Sequence, residues 1–597
     1  VGQAPFPLSG ILVVSARARD ASAPDVFAAL ARCQVPGASV RRLGDFHVAV
    51  WGAITMPSVG SLPIFLSAIA RDSLHDVAPD ALDLTSTEST AAVRGMMPAF
   101  GALQLTETTA YGVTDALGFR HLYHRQGRGW SALSTSAYVL GALAPSELDH
   151  EAVAVQAMLG WQLGNSTLTR DVTKLAAGGR VTLQSGQVEV GTYLPEDRAP
   201  ETVDLSEAVP RAAKLLRSYL TAYLEEHPDA VLQLTGGLDS RILLAAIEPA
   251  QRRGLRVLTL ATAPDDPDVV IAGELAARDS MEHLIHNLES LTALAPSDAH
   301  DLVMWAGSRV DGMADPVAHA ALSMTEATMP QGHRISGLGG EVARGFYYFG
   351  PQIPLPVTPM QTRLLTSWRM FANQSVSDSV LDADFGRWAR DHARNAVHRS
   401  LRSTDAAWFP ATDHFYLYER MQRWAGVTDS AVCLDRAVVN PMLDPGFIDI
   451  ANALPPRAKS NARFLSSLVC ELDPELGRIP LEGRPPPAAS VSPSGGQRVR
   501  HVATTVRKGV AKVRQRAGGR TLPPAGGSVL SDKVLEQWRQ HPELLEPLRG
   551  QHVVRDSWLE SLLEGSVQPA ENELAFAASL LATVAATAAS TVAAPRP

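Results

Sequence analysis

Ala230-Val231-Leu232-Gln233-Leu234 is a short apolar run that stops at Thr235-Gly236-Gly237 and restarts as Leu238-Asp239-Ser240-Arg241. A buried strand that ends in two glycines and reopens as a helix belongs to a parallel sheet with crossover helices, and places its loop at the sheet's C-terminal edge. Glycines let main-chain N–H groups approach a pyrophosphate without a Cβ in the way. The following helix points its positive end at the same place. Thr235 and Ser240 add hydroxyl donors, whereas Asp239 is acidic where anions should bind. An acid there makes sense with a cation such as Mg²⁺ between carboxylate and phosphate. No G-x-x-x-x-G-K-[ST] occurs, so this is not a Walker loop. Taken alone, the segment also fits an ordinary strand-to-helix turn with an Asp cap.

The surroundings extend the pattern. Leu255 to Leu260 and Arg334-Ile335-Ser336-Gly337 are further apolar runs, and helical segments separate them. The third runs into Ser336-Gly337-Leu338-Gly339-Gly340-Glu341, a second glycine-rich turn that ends in an acid. Two such turns on one sheet edge would face each other across a switch point, and Asp239 and Glu341 could clamp one metal ion. Residues 1 to about 195 are β-rich, with runs at Ile11–Val14, Phe46–Val50 and Val181–Leu183. Pro195 to Pro200 reads as a linker, and a helix is expected from Leu205 to about Glu226. Residues 365 to 475 read mainly helical.

Gly483 to Ser531 holds no Asp or Glu but many Arg, Pro and Gly, and is expected to be a mobile basic segment. It is either a solvated linker or a flap that neutralises phosphate or guides a peptide. Leu574 to Ala594 lacks charge over 21 residues, yet ten are Ala and hydroxyl residues interrupt the rest, so it reads as a packed helix and membrane association is not expected. A net charge of −9 argues against nucleic acid as a partner. Three distant cysteines, Cys33, Cys433 and Cys470, give no disulfide framework or zinc ribbon; with no secretory signal visible, a cytoplasmic location is expected.

The two glycine turns resemble those of the asparagine-synthetase-like ligases. Residues 235–240 resemble that family's Ser-Gly-Gly-x-Asp-Ser, with Thr235 for the first Ser. Residues 337–341 resemble its Gly-x-Gly-x-Asp-Glu, with Glu341 in place of the metal-binding Asp. Thr259 to Pro264 with Pro267-Asp268, Asp311-Gly312, Asp315-Pro316 and Asn440 to Asp444 extend the likeness. So do Gly44 to Val50, Asp115 to Tyr123 and Leu175 to Gly179 in the N-terminal region. The resemblance implies an α/β chain. Residues 1–195 would form a degenerate glutamine-amidotransferase-like domain, and residues 206–597 an ATP-pyrophosphatase-type ligase domain. A glutaminase needs an N-terminal Cys nucleophile, but this chain starts at Val1, and its first Cys, Cys33, falls in an expected helix. If Val1 is the true start, the nucleophile is an amine rather than ammonia from glutamine. Leu338 stands where β-lactam synthetases carry a catalytic Tyr, and Tyr418 to Gly426 is similar to lasso peptide cyclases.

That likeness implies an AMP-forming ligase with ATP and Mg²⁺. It would adenylate an Asp or Glu side chain of a linear precursor peptide and join it to the peptide's N-terminal amine. It implies Asp239 and Glu341 for Mg²⁺; Thr235, Gly236, Gly237, Leu238 and Ser240 for pyrophosphate; and Leu234, Ala261, Ser336 and Gly337 for adenosine. Related enzymes use a late Lys to stabilise developing charge; here Arg484 is the candidate, with a solvated loop Arg as the alternative. Tyr416, Arg420, Arg423 and Trp424 at helical spacing would line the peptide cavity or form an amphipathic surface. A leader-peptide-binding protein and a leader protease are the implied partners. His121, His124, His283 and His286 read as structural. Two rival readings stay open: a superfamily amide ligase acting on a small carboxylate, and a non-catalytic scaffold for peptide maturation.

Overall fold

A computed structural model describes residues 8–17, 23–86, 92–195, 201–261, 266–329, 332–491 and 527–588. Its N-terminal part is two stacked antiparallel sheets. The first has the order β2-β3-β1-β8-β7-β9, from β1 (Gly10–Ala16), β2 (Ser39–Leu43), β3 (Phe46–Trp51), β7 (Tyr123–Gly127), β8 (Trp130–Ser134) and β9 (Thr173–Lys174). The second has the order β11-β10-β6-β5-β4, from β4 (Ile64–Phe65), β5 (Gly101–Leu105), β6 (Thr109–Thr114), β10 (Gly179–Gln184) and β11 (Gln187–Thr192). Alternation along β1 explains the layering. Ile11 and Val13 enter the core between the sheets with Val48, Leu103 and Val181. Leu12 and Val14 face the opposite core, which holds Leu140 and Val155 of the covering helices. Short hairpins fix the register: Ser185 and Gly186, both at positive φ, join β10 to β11.

A 22-residue helix, α1 (Leu205–Glu226), leads into the second part, with the bounds its apolar spacing predicts. There a parallel sheet runs β14-β13-β12-β15-β16, from β12 (Val231–Gln233), β13 (Arg256–Leu260), β14 (Glu282–His286), β15 (Arg334–Ile335) and β16 (Val438–Val439). β12 sits at its centre, between β13 and β15. The fold class is therefore α/β: an antiparallel N-terminal sandwich, a five-stranded parallel sheet and many added helices.

The two parts are joined through buried polar contacts. Arg120 donates to Ser430 O at 2.9 Å. Lys174 donates to Gln422 Oε1 at 2.6 Å, and Gln156 to Gly312 O at 2.7 Å. Asp311 accepts from Ser136 Oγ at 2.8 Å and from Tyr138 N–H at 3.1 Å. Residues 571–588 form a helix whose Leu574, Ala577, Leu580 and Leu581 are buried. Packing against other helices, not lipid, thus accounts for its lack of charge, and no helix among the described residues is long and apolar enough to cross a membrane. Cys33 follows the last residue of helix Val26–Arg32 and caps it, rather than lying inside it. Most of the basic stretch (492–526), most of the linker (196–200), Val1 and residues 589–594 lie outside the described residues.

Candidate active site at two glycine turns

The central position of β12 brings both turns to one place. Leu232 pairs with Ile335 in parallel register, so the chains leave β12 and β15 side by side. The first turn opens α2 (Leu238–Ala246), with Gly237 at the cap position and no side chain capping the helix. Its first N–H groups thus lack the side-chain partner that helix starts usually recruit. The second turn packs against that helix start. A Cβ on Gly337 would lie 3.0 Å from Ser240 N, and one on Gly340 would collide with the Asp239 carboxylate. Gly339 has φ +114 and lies against Met442, a conformation that excludes side chains.

The first turn holds itself closed. Thr235 N–H donates to Ser240 Oγ at 3.1 Å, and the two hydroxyls lie 3.1 Å apart. Gly237 N–H donates to Thr235 Oγ1 at 3.1 Å, and Gly236 N–H to Asp268 Oδ1 at 2.7 Å. Thr235 and Ser240, expected as phosphate donors, shape the loop here. Asp268 is a loop partner that the sequence reading did not single out as a site residue. It sits in the first turn of α3 (Pro267–Arg278), the helix after β13.

Asp239 and Glu341 meet, as their spacing predicts, but a guanidinium joins them. Arg344 Nη2 lies 2.6 Å from Glu341 Oε1 and its Nη1 3.4 Å from Asp239 Oδ2. The other oxygens, Asp239 Oδ1 and Glu341 Oε2, are shut from solvent without a hydrogen-bond partner. Burial pushes the Asp239 carboxyl up to about 7; Arg344 opposes that shift and Glu341 adds to it. Burial depresses the Arg344 guanidinium, but the two carboxylates outweigh this and hold it above its ordinary value. Two orphaned carboxylate oxygens beside an uncapped helix start fit a hard divalent cation that completes its shell with phosphate and water. Arg344 was not foreseen from sequence.

Arg484 reaches this site from far along the chain. Leu481 and Arg484 close a tight turn, and Glu482 N–H donates to Gly236 O at 3.2 Å. The Arg484 charge is close enough to lower the Asp239 carboxyl. Arg241, fully buried on α2, holds this turn: it donates to Ile479 O, to Pro480 O at 3.0 Å and to Gly236 O at 3.5 Å. Among the expected adenosine contacts, Ala261 and Ser336 continue the sheet's pairing through His286 O and Val439 O. Leu234 is wholly buried, with its N–H on Leu258 O and its carbonyl accepting from Thr259 Oγ1 at 2.8 Å, so it supports the site from beneath. Residues 262–264 lie outside the described residues.

Beyond Glu341 the chain enters an aromatic wall. Phe346 stacks on Tyr416 with ring centroids 4.6 Å apart. The Arg420 guanidinium lies 5.3 Å from the Phe346 ring and 5.2 Å from Trp424, whose side is half exposed. Arg369 donates to Phe346 O at 2.8 Å. Tyr416, Arg420 and Trp424 therefore share one face. Arg423 does not, which corrects the sequence reading. It is 1% exposed and donates to Ser166 O and to Met313 Sδ. Residues 416–421 form a π-helix, and its wider turn changes the phase that ordinary helical spacing assumes. Arg423 is turned into the join with the N-terminal part.

Among the described residues, the one group of three or more metal-capable side chains is Asp76, Glu226 and His227. Arg71 already pairs both of its acids. The four histidines read as structural include His121, held between Tyr123 Oη at 3.1 Å and Gln422 O at 2.9 Å, and His283, 2.8 Å from Thr259 Oγ1. A cavity of about 640 Å³ between the sandwich and helix Pro296–Arg309 is lined by Cys33, His121 and Asp311, but by none of the residues expected to hold ATP, metal or peptide. The uncapped helix start and the paired acids lie at the glycine turns, not at this cavity.

No protein-family model matches the chain, and no curated protein matches it. Among solved structures it is similar to the allosteric regulatory enzyme of purine biosynthesis, at 9% identity and a TM-score of 0.19, covering 46% of this chain and 80% of that one. It is also similar to glutamine phosphoribosylpyrophosphate amidotransferase from B. subtilis complexed with ADP and GMP, at 10% identity and a TM-score of 0.19, covering 55% and 81%. Likenesses this loose carry no argument about chemistry.

Proposed function

We propose that this chain is an ATP-dependent, AMP-forming carbon–nitrogen ligase that closes a peptide macrolactam, as lasso peptide cyclases do. One observation carries the reading: parallel neighbours β12 and β15 bring Asp239 and Glu341 together beside an uncapped helix start, each acid with an orphaned buried oxygen. ATP enters as co-substrate, its phosphates against the N–H groups of α2. Asp239 and Glu341 would hold Mg²⁺, which supplies charge neutralisation for the phosphates. Arg484 adds positive charge from the opposite turn. The peptide's side-chain carboxylate attacks the α-phosphorus and pyrophosphate leaves. The peptide's N-terminal amine then attacks the acyl carbon, releasing AMP and leaving an isopeptide bond. The peptide lies against the face shared by Tyr416, Arg420 and Trp424, which holds its amine near the activated carbonyl. Peptide processing would supply the substrate through a leader-binding protein and a protease.

The test is turnover of ATP with linear peptides that have a free N-terminus and an internal Asp or Glu. We expect AMP, pyrophosphate and a product lighter by one water, with Asp239→Asn abolishing all three. Turnover with small amino acids alone would replace the peptide reading by a small-carboxylate ligase. No conversion of ATP to AMP with any candidate would leave a scaffold role.

A further inference from the structure

Arg344 occupies the position between the two acids where a cation is needed. It lies three residues past Glu341 in the short 3-10 turn Gly340–Arg344, and so folds back onto that carboxylate and onto Asp239 from the neighbouring strand's turn. Neither acid can easily make room. Asp239 is backed by Gly340 so closely that not even a methyl group fits between them. Glu341 is fixed within the 3-10 turn. Arg344 has the long, rotatable side chain, and its side chain is 26% exposed. The two orphaned oxygens, Asp239 Oδ1 and Glu341 Oε2, are buried on the same carboxylates that it pairs. Tyr416 stands close enough that its phenol senses the charges of both Glu341 and Arg344. Tyr416 stacks on Phe346, the ring that Arg420 and Arg369 also flank.

We propose that Arg344 is a resident counter-cation: it holds Asp239 and Glu341 together before nucleotide binds, yields its place to the nucleotide's metal ion, and swings to the Tyr416–Arg420 wall to receive the substrate's carboxylate. The inference rests on the ligase reading above. It makes substrate binding follow nucleotide binding, because the third guanidinium of the wall is released only when the acids gain another cation. A ligand shifts such an equilibrium only by its differential affinity, and here the metal ion and the guanidinium compete for the same two carboxylates. A planar guanidinium is suited to both tasks, pairing with an acid in either position. Arg344 is thus a positioning residue before nucleotide binds and a specificity residue afterwards.

The full chain is tested as wild type, Arg344→Met and Arg344→Lys, by calorimetric titration with Mg²⁺ and α,β-methylene-ATP, and by thermal melting with Mg²⁺ alone. Removing the competing guanidinium should tighten Mg²⁺–nucleotide binding about tenfold in Arg344→Met, and Mg²⁺ alone should raise that variant's Tm but not the wild type's. A linear Glu-containing peptide should bind the nucleotide-loaded Met variant about tenfold more weakly than wild type, and Lys should restore part of that loss. In wild type, needing no variant, the peptide should bind only after nucleotide. Peptide binding to nucleotide-free wild type overturns the proposal, as does a Met variant that binds Mg²⁺–nucleotide no tighter while wild type binds it normally. Wild type that fails to bind the analogue at all sinks the ligase reading and this inference with it.

Discussion

Gly340 shows how much one missing methyl group can decide. Its backbone is not in the left-handed region, so alanine costs little locally, yet the added Cβ would push into the Asp239 carboxylate. Gly340→Ala should lower AMP formation by about 100-fold, since displacing a positioned group by roughly 1 Å costs that much. The stability cost should stay within about 1–3 kcal/mol, as for other overpacked sites. Steady-state turnover beside a melting curve checks both, and wild-type turnover would show that Asp239 need not hold this position. Single residues were legible in the sequence where their reason is local. Asp239 and Glu341 each close a glycine turn after a strand, and the structure brings them together. Arg344 and Arg423 were not legible for opposite reasons. Arg344 is folded back onto the acids by a local 3-10 turn that no period in the sequence marks, whereas Arg423 follows a π-turn whose phase is set by packing.

At the level of elements, α2 does two jobs. Its start packs against the second glycine turn, while Arg241, one turn on, ties the helix to residues 479–480 and to the loop carbonyl of Gly236. Arg241→Met leaves the Ile479 and Pro480 carbonyl groups without their donor, at a cost of about 3 kcal/mol. Hydrogen exchange at Leu481 and Arg484 should speed up, with weaker nucleotide binding, while exchange in β1 and β8 stays as it was. Unchanged exchange at the 481–484 turn would mean that the turn holds without Arg241. Elements with their own period were readable from sequence: α1 has the bounds its apolar spacing predicts. The turn at 481–484 was not, because its position is set by a buried arginine 240 residues earlier, not by its own residues.

Across the whole molecule, the sandwich and the parallel-sheet part meet through buried polar and charged side chains. Lys174 of β9 is buried and reaches Gln422 Oε1, and burial, with Arg423 nearby, pulls its ammonium down to about 7. The unfolded chain keeps that proton up to about pH 10.4. Between about pH 7 and 10.4 the unfolded state therefore binds more protons, and this group's contribution to stability rises with pH, by up to about 4 kcal/mol. The difference in Tm between wild type and Lys174→Met should move in favour of wild type from pH 7 to pH 10 in scanning calorimetry. A constant difference would show that Lys174 does not titrate in that window. The class of the fold was open to reading because short apolar runs between turn residues mark the N-terminal strands, and runs ending in glycines with helical segments between them mark the parallel sheet. The join between them was not, because Arg120, Gln156, Lys174 and Asp311 find partners hundreds of residues away, or on another layer. The central place of β12 also sets a timetable. The ribosome delivers Asp239 long before Glu341, and Arg484 later still; at roughly 5–20 residues per second, the interval from first to last is some tens of seconds. Throughout that time the nascent chain has an acid without its partner and a phosphate loop without its far wall. The paired acids and the turn that packs on them therefore come together only after the chain has been made past Arg484.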